Sequence, residues 1–252
     1  MRMVIPASSS NYEMMRRAIA DCGCFVISSM FDPSAIARIR DRVDFVARAW
    51  DYMIKKGYTS DVKDYVDGPF QAGHLPETDI DVEETWADLA TGSAFDEIAT
   101  KVFGSTTRGY AVRRSTLGNK QNPLEFHQDA FFIGSEPWFN FWTPLQDCGV
   151  DAPSLEVVVR SGAPVFTHAD CCQADRMRSY IERTYGLDSF WTPKLRAGDA
   201  LVFTSMLFHR TQQISTNKTR YSLELRGPIK DRTLAIVNVP NEWDKIVPQL
   251  LS

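Results

Sequence analysis

From residue 108 onward the chain is a succession of short segments with the composition of β-strands, and this succession constrains the fold more than any other feature. Antiparallel barrels and jelly rolls are typically built from about eight such strands separated by turns. The sequence therefore predicts a mainly β protein with a jelly-roll core over about residues 108–230. We predict strands over 108–115, 123–132, 137–147, 154–160, 190–196, 199–206, 209–214 and 219–227, with one helix near 171–185.

The N-terminal third has the pattern of helices instead. Asp32 is followed by Pro33, a combination typical of a helix N-terminus. The apolar residues that follow recur every three or four positions, which predicts a helix with one apolar face that supports a sheet. These apolar residues are Ile36, Ile39, Val43, Val46 and Ala47.

Other parts of the N-terminal third are predicted from composition. We predict a short strand over 25–28 and helices over 82–90 and 94–103. The polar stretch 57–80 is interpreted either as a lid over a site or as a surface loop. Because no repeat or linker divides the chain, we expect one domain over residues 1–252, with flanking helices packed on the jelly roll.

Charge and cysteine content exclude several classes of function. The formal net charge is −4 and the pI is about 5.6, which argues against nucleic acid or an anionic membrane as the main partner. The sequence contains no apolar run of about eighteen residues and no secretory leader pattern, so we expect a cytoplasmic protein. The cysteines lack zinc-binding spacing and are expected to be reduced thiols. No pattern indicates an oligomeric state.

Three residues predict the chemistry. In a strand over 123–132, His127 and Asp129 would point to the same face and could bind one ion together. His209 follows an apolar strand that begins after a Gly198-Asp199 turn. Two imidazoles and one carboxylate are the ligand set that leaves three open positions on one face of Fe(II). The sequence therefore predicts a non-haem iron site.

A candidate anion receptor lies in the last predicted strand. Arg220 and Ser222 share a face there, and a guanidinium offers two parallel donors to a carboxylate. The alternative interpretation is a surface Arg220 paired with Glu224. The basic residues Arg113, Arg114 and Lys120 could receive an anionic substrate group, but a solvated basic loop is the favoured interpretation.

Taken together, these motifs resemble the phytanoyl-CoA dioxygenase branch of the iron(II)- and 2-oxoglutarate-dependent dioxygenases, which includes the ectoine hydroxylases. The resemblance covers most of the chain and implies a double-stranded β-helix of the cupin type, Fe(II) as metal, and 2-oxoglutarate and O2 as co-substrates. It rests on the segments at 21–27, 142–147 and 154–159, on the His-Gln-Asp motif at 127–129, and on the spacing from His209 to Arg220.

The resemblance also implies roles for individual residues. His127, Asp129 and His209 would bind iron, and Arg220 would anchor the distal carboxylate of 2-oxoglutarate. The hydroxyls of Ser222 and Thr211 and the ring of Trp142 would lie beside that co-substrate, although core packing explains Trp142 about as well. If Trp142 faces the pocket, strand alternation predicts four candidate substrate contacts. These are Phe131, Asn140, Trp138 and Tyr110.

The activity implied is hydroxylation of an unactivated C–H bond of a small or medium-sized metabolite, natural-product-like or amino-acid-like, with succinate and CO2 as co-products. Desaturation, epimerisation and ring formation use the same cofactors and stay open. A non-catalytic jelly-roll binding protein would not need the full set of residues, and a cupin-type isomerase would not need Arg220. Related halogenases carry Ala or Gly in place of the carboxylate, so Asp129 predicts oxidation without halide incorporation.

Overall fold

The computed structural model describes residues 2–57, 89, 94–106, 109–115, 126–130, 137–162, 166, 174–215, 218–231 and 234. The predicted helix over 82–90, apart from Leu89, and the stretch 58–80 considered as a lid lie outside these residues. So do Lys120 and the candidate substrate contact Phe131.

The described strands form two sheets that enclose the site, which confirms the predicted jelly roll. The larger sheet has the order β1-β2-β7-β4-β9-β3 and the smaller has the order β6-β5-β8. All strand pairs are antiparallel except β1 with β2. The strands are β1 Val4–Pro6, β2 Cys24–Ser28, β3 Gly109–Ser115, β4 Trp138–Pro144, β5 Leu155–Val158, β6 Phe190–Trp191, β7 Ala200–Thr204, β8 His209–Thr211 and β9 Arg220–Pro228.

Four α-helices accompany the sheets in the described part of the chain: α1 Tyr12–Cys22, α2 Pro33–Lys56, α3 Phe95–Phe103 and α4 Ala174–Tyr185. A 3₁₀ turn follows at Leu187–Ser189. The helices predicted after Asp32, over 94–103 and near 171–185 are confirmed. At the start of α2, a carboxylate oxygen of Asp32 accepts a hydrogen bond from the amide of Ala35 at 3.1 Å, as expected for an N-cap.

The strand predicted over 123–132 is wrong for the residues that the structure describes. His127 makes only an isolated β-bridge, Asp129 lies in a turn and Ala130 begins helical backbone. The strand predicted over 190–196 is also shorter, since it is limited to β6 and an isolated bridge at Leu195. Strand β1 and helix α1 were not predicted from the sequence.

One face of the larger sheet packs against the helices. Alternate side chains of β4 and β9 point toward them, including Phe139, Phe141 and Leu225. The rings of Phe95 in α3 and Phe141 meet edge to face at 4.7 Å, and those of Phe103 and Phe139 stack at 4.6 Å. Burial of these aromatic rings supplies much of the apolar contact that holds the helical layer on the sheet.

The opposite face of the larger sheet turns toward the smaller sheet. Trp142, Leu201 and Phe203 pack there against Leu155 and Val157 of β5. The candidate site lies at the edge of this second apolar cluster, between the two sheets. None of the described helices is long and apolar enough to cross a membrane.

The predicted Gly-Asp turn places β7 in the sheet. Gly198 has φ +90°, and a Cβ atom there would lie 2.7 Å from the carbonyl oxygen of Phe31, so any other residue would be strained. The carboxylate of Asp199 accepts hydrogen bonds from the amides of Arg196 at 2.8 Å and Ser29 at 2.9 Å. This turn therefore sets the direction of the strand that leads to His209.

Candidate active site

The backbone brings His127 and His209 together. Their amide and carbonyl groups exchange two hydrogen bonds of 3.0 Å in an antiparallel bridge. His209 is also paired with Val157 inside the smaller sheet, so His127 extends that sheet by one residue. The two imidazole rings lie 4.3 Å apart between centroids. The relation between the two histidines is thus fixed by main-chain contacts.

Asp129 reaches the same point because the chain turns after His127, and not because a strand continues. Gln128, the residue between His127 and Asp129, is buried and stabilises this turn. Its side-chain nitrogen Nε2 donates to the carbonyls of Met206 at 2.7 Å and Gly162 at 3.2 Å. Its amide oxygen accepts from the amide of Phe166 at 3.0 Å. These three hydrogen bonds of the Gln128 side chain fix the turn that directs the Asp129 carboxylate toward the two histidines.

The predicted ligand atoms of these residues converge. Oδ1 of Asp129 lies 3.8 Å from Nε2 of His127 and 3.7 Å from Nε2 of His209, and the three ligand atoms all lie within 4.8 Å of one another. Among the described residues they form the single cluster that could hold a metal ion. Two imidazoles and a carboxylate on one side of a point fit a facial iron site.

The histidine tautomer also suits a metal. Nδ1 of His209 lies 3.0 Å from the carbonyl oxygen of Leu207. A carbonyl only accepts, so this contact requires the proton on Nδ1 and leaves the lone pair of Nε2 for an ion. The ring packs on Phe203 with centroids 4.8 Å apart, which limits its rotation.

A charged network surrounds Asp129. Its second oxygen, Oδ2, lies 3.6 Å from Nη2 of Arg226, which also forms an ion pair with Glu224. Glu224 contacts Nε of Arg113 at 3.3 Å. Burial alone would raise the pKa of Asp129, but Arg226, His209 and His127 bring it below its usual range, so the carboxylate is charged and ready to bind a cation.

Arg220 is buried, so the interpretation of a surface arginine is wrong. Its guanidinium lies over the Trp142 ring at 4.9 Å, and Nη1 donates to the carbonyls of Pro153 at 3.5 Å and Ser154 at 3.4 Å. Burial lowers the pKa of Arg220 to about 10, which still leaves it charged at neutral pH. Nε of Arg220 and Oγ of Ser222 are buried without a hydrogen-bond partner among the described residues. Such unsatisfied polar atoms fit a site for an anion.

The remaining predicted site residues are placed by strand alternation. Thr211 follows His209 by two positions in β8 and therefore shares its face. Trp142 and Asn140 are buried and lie opposite Glu224 and Arg226 in β9, and Trp138 shares their face at the start of β4. Tyr110 lies in β3, where its backbone pairs with Leu225.

Sequence reasoning missed the functional environment of Asp129. Arg113 was interpreted as part of a solvated loop, but it lies in β3 and its side chain is 16% exposed and pairs with Glu224. Neither Glu224 nor Arg226 was assigned to the site. One signal was present: from Arg220 the polar residues recur at every second position of a buried strand, which predicts a polar inner face.

Comparison with known proteins agrees with this geometry. The profile of the family described as "Phytanoyl-CoA dioxygenase (PhyH)" matches residues 20–222. No protein of curated function matches the chain by sequence.

Many solved structures have a similar fold, and two of them are AviO1 and SnoN. AviO1 from Streptomyces viridochromogenes Tue57 has a TM-score of 0.60 and 15% identity, over 92% of this chain and 100% of its own. The non-haem α-ketoglutarate-dependent epimerase SnoN from nogalamycin biosynthesis has a TM-score of 0.53 and 18% identity, over 91% of this chain and 90% of its own.

Proposed function

The chain belongs to the phytanoyl-CoA dioxygenase family, and we propose that it hydroxylates an unactivated C–H bond of a small or medium-sized metabolite. Membership of the family makes it a non-haem oxygenase or epimerase that uses Fe(II), 2-oxoglutarate and O2. The finer statements, hydroxylation and a natural-product-like or amino-acid-like substrate, are the proposal. A cytoplasmic location, expected from the sequence, belongs to the proposal as well.

One observation carries the proposal: a buried arginine and a buried serine hydroxyl have polar atoms without a hydrogen-bond partner among the described residues. They lie on the face of β9 that also carries Arg226, which contacts Asp129 of the His-Asp-His cluster. No carboxylate among the described residues forms an ion pair with Arg220. A buried charge without such a partner costs stability, which supports a ligand that supplies the anion. We assign the distal carboxylate of 2-oxoglutarate to Arg220 and Ser222, with Thr211 and Trp142 beside the rest of the molecule. A cupin-type isomerase or a simple binding protein would not need this second receptor.

In this assignment His127, Asp129 and His209 would hold the iron through two imidazoles and one carboxylate. When bound, Fe(II) would activate O2 with electrons that 2-oxoglutarate supplies on its conversion to succinate and CO2. The protein's own contribution is positional: Arg220 orients the co-substrate, and the apolar side chains between the sheets exclude water from the reacting centre. Asn140 and Trp138, on the face of β4 that carries Trp142, are proposed to contact the substrate together with Phe131 and Tyr110.

Asp129 bears on the type of product. Because a carboxylate is present at this position, all three protein ligand positions are filled by the chain itself. We therefore propose oxygenation without halide incorporation, even at high chloride concentration.

The substrate class is supported by the aromatic lining and by fold likeness. SnoN is an epimerase from nogalamycin biosynthesis, and its fold is similar to that of this chain. We extend this to the proposal of a natural-product-like substrate here. Epimerisation is the second candidate reaction, since the family assignment includes it at the coarser level.

The assignment of the site can be tested without a substrate. Anaerobic addition of Fe(II) and 2-oxoglutarate to the purified protein should give the weak visible metal-to-ligand charge-transfer band of the chelate. The variant His209→Ala, which lacks one of the three ligands, should not give the band. Absence of the band in the wild-type protein would contradict both the metal and the co-substrate assignment.

The type of reaction is tested once a substrate is found by screening for substrate-stimulated succinate formation. Under ¹⁸O2 and excess chloride, mass spectrometry of the product should show one labelled oxygen. Loss of two hydrogens without label would indicate desaturation or ring closure. An unchanged mass with altered retention would indicate epimerisation, and a chlorinated product would contradict the role given to Asp129.

A further inference from the structure

The two oxygens of Asp129 face different partners. Oδ1 lies toward both imidazoles, at 3.8 Å from His127 and 3.7 Å from His209. Oδ2 lies on the other side, 3.6 Å from Nη2 of Arg226. A carboxylate with one oxygen turned toward the ion and the other held by a cation has a defined orientation before any metal binds.

Arg226 is itself held in place. Nη2 of Arg226 forms a close ion pair with Oε2 of Glu224, and Oε1 of Glu224 accepts from Nε of Arg113 at 3.3 Å. The Arg226 side chain is 21% exposed and that of Glu224 is 10% exposed, so solvent screens these contacts only in part. The result is a chain of charges, Arg113, Glu224, Arg226 and Asp129, that runs from β3 through β9 to the ligand.

We propose that Arg226 is a positioning residue for the metal site: it holds Oδ2 of Asp129, so that the carboxylate offers Oδ1 alone to the iron. Glu224 and Arg113 keep the Arg226 guanidinium in the orientation that this requires. The inference rests on the proposed function, because it concerns the metal site of the same enzyme.

The physical reason is the number of coordination positions on the metal ion that the Asp129 carboxylate would occupy. A carboxylate free to rotate can bind an ion through both oxygens and would then take a position that the co-substrate or O2 needs. Nη2 of Arg226 contacts both Glu224 and Asp129. An arginine suits the task better than a lysine, because the planar guanidinium fixes the directions of the N–H groups on that nitrogen, whereas the N–H groups of an ammonium rotate freely. Loss of Arg226 should therefore change both the affinity and the geometry of metal binding.

The experiment uses Co(II), whose visible absorption reports coordination directly, with the metal alone as ligand. In Arg226→Gln, Co(II) affinity should fall by roughly 10- to 100-fold, the usual cost of removing a partner that orients a ligand. The shape and intensity of the Co(II) bands should also change. Arg226→Lys should recover part of the affinity without restoring the wild-type spectrum.

A matched control separates this effect from the general loss of a partly buried ion pair. Arg16 pairs with Asp231, and its side chain is 26% exposed, close to the value for Arg226, but it lies on α1 away from the ligands. Arg16→Gln should bind Co(II) with the affinity and spectrum of the wild-type protein. If Arg16→Gln weakens Co(II) binding as much as Arg226→Gln does, the proposed positioning role is wrong.

A second variant decides the question if Arg226→Gln does not fold, as judged by circular dichroism. Glu224→Gln leaves Arg226 in place but removes its charged anchor, and Co(II) affinity should fall by roughly three- to tenfold. Wild-type Co(II) affinity and spectrum in folded Arg226→Gln, or in Glu224→Gln where that variant decides, would overturn the inference and leave the proposed function intact. Failure of the wild-type protein to bind Co(II) or Fe(II) at all would instead contradict the proposed function itself.

Discussion

The two faces of the larger sheet use the same strands for different purposes. On the helix side, β4 and β9 present Phe139, Phe141, Leu223 and Leu225 to an apolar layer. On the other side, the intervening residues are Trp142 and five polar or charged residues, and most are buried. They are Asn140, Trp142, Arg220, Ser222, Glu224 and Arg226.

Within one strand, the residues on the helix side therefore contribute to stability, and those on the other side contribute to the candidate site. Apolar burial on the helix side stabilises the fold by about 25 cal/mol for each Å² removed from water. Charges on the other side are costly to bury and are compensated by one another or by a ligand. Substitutions on the two faces should therefore have opposite effects on folding and on function.

The largest effect is expected at the proposed metal ligands. His209→Ala should abolish iron binding and turnover, since a facial site needs all three ligands. The protein should stay folded, because β8 keeps its backbone hydrogen bonds. Iron content of the purified variant, together with succinate formation, measures the loss. Full activity without added imidazole would remove His209 from the site.

The next largest effect is expected on the helix side. Phe141→Ala should lower the free energy of unfolding by about 3–5 kcal/mol, because it leaves a cavity beside Phe95 and Phe103. Urea unfolding followed by circular dichroism measures this change. The fraction that is folded should bind Co(II) and 2-oxoglutarate as the wild-type protein does. A folded variant that had lost 2-oxoglutarate binding would show that the two faces are not separable.

Arg220 should behave in the opposite way. Arg220→Met should raise the Kd for 2-oxoglutarate by roughly 10- to 100-fold, because a charge-assisted pair is lost, while iron binding is retained. The free energy of unfolding of the apoprotein should be unchanged or higher, since a buried charge is replaced by an apolar chain of similar length. Isothermal titration and urea unfolding measure the two quantities. Unchanged 2-oxoglutarate affinity would place the anchor elsewhere.

The smallest effect is expected for the pH dependence of stability. Burial would raise the pKa of Glu224, but Arg113 and Arg226 lower it below its usual range. The stabilisation from this carboxylate is therefore present above the unfolded-state pKa, about 4.3, and is lost as the pH falls through the lower folded-state pKa. In apoprotein unfolding, the difference between wild type and Glu224→Gln should shrink as the pH falls from about 6 to about 3. A difference that grew on acidification would contradict this sign.

Local patterns predicted the elements that have strong local signals. Asp32 and Pro33 predicted the start of α2, and the Gly198-Asp199 pair predicted the turn before β7. The proposed metal ligands His127, Asp129 and His209 were also chosen from the sequence, and the structure brings them together.

The reason given for the convergence of His127 and Asp129 was wrong, because it assumed a strand. The turn that places Asp129 is held by side-chain contacts of Gln128 to residues distant in sequence, and such contacts leave no local pattern. The ion pair between Arg226 and Asp129 was missed for the same reason. Strand alternation predicted that Ser222 shares the face of Arg220, but it could not indicate which charges on that face meet.

The backbone bridge between His127 and His209 has an evolutionary consequence. Its two hydrogen bonds join peptide groups, so the separation of the two histidine backbones does not depend on which side chains line the remainder of the enclosure. Substitutions at the candidate substrate contacts can therefore accumulate while the distance between these two ligands is conserved. A fold of this kind can acquire new substrates through changes at the candidate substrate contacts, while the proposed metal site stays the same.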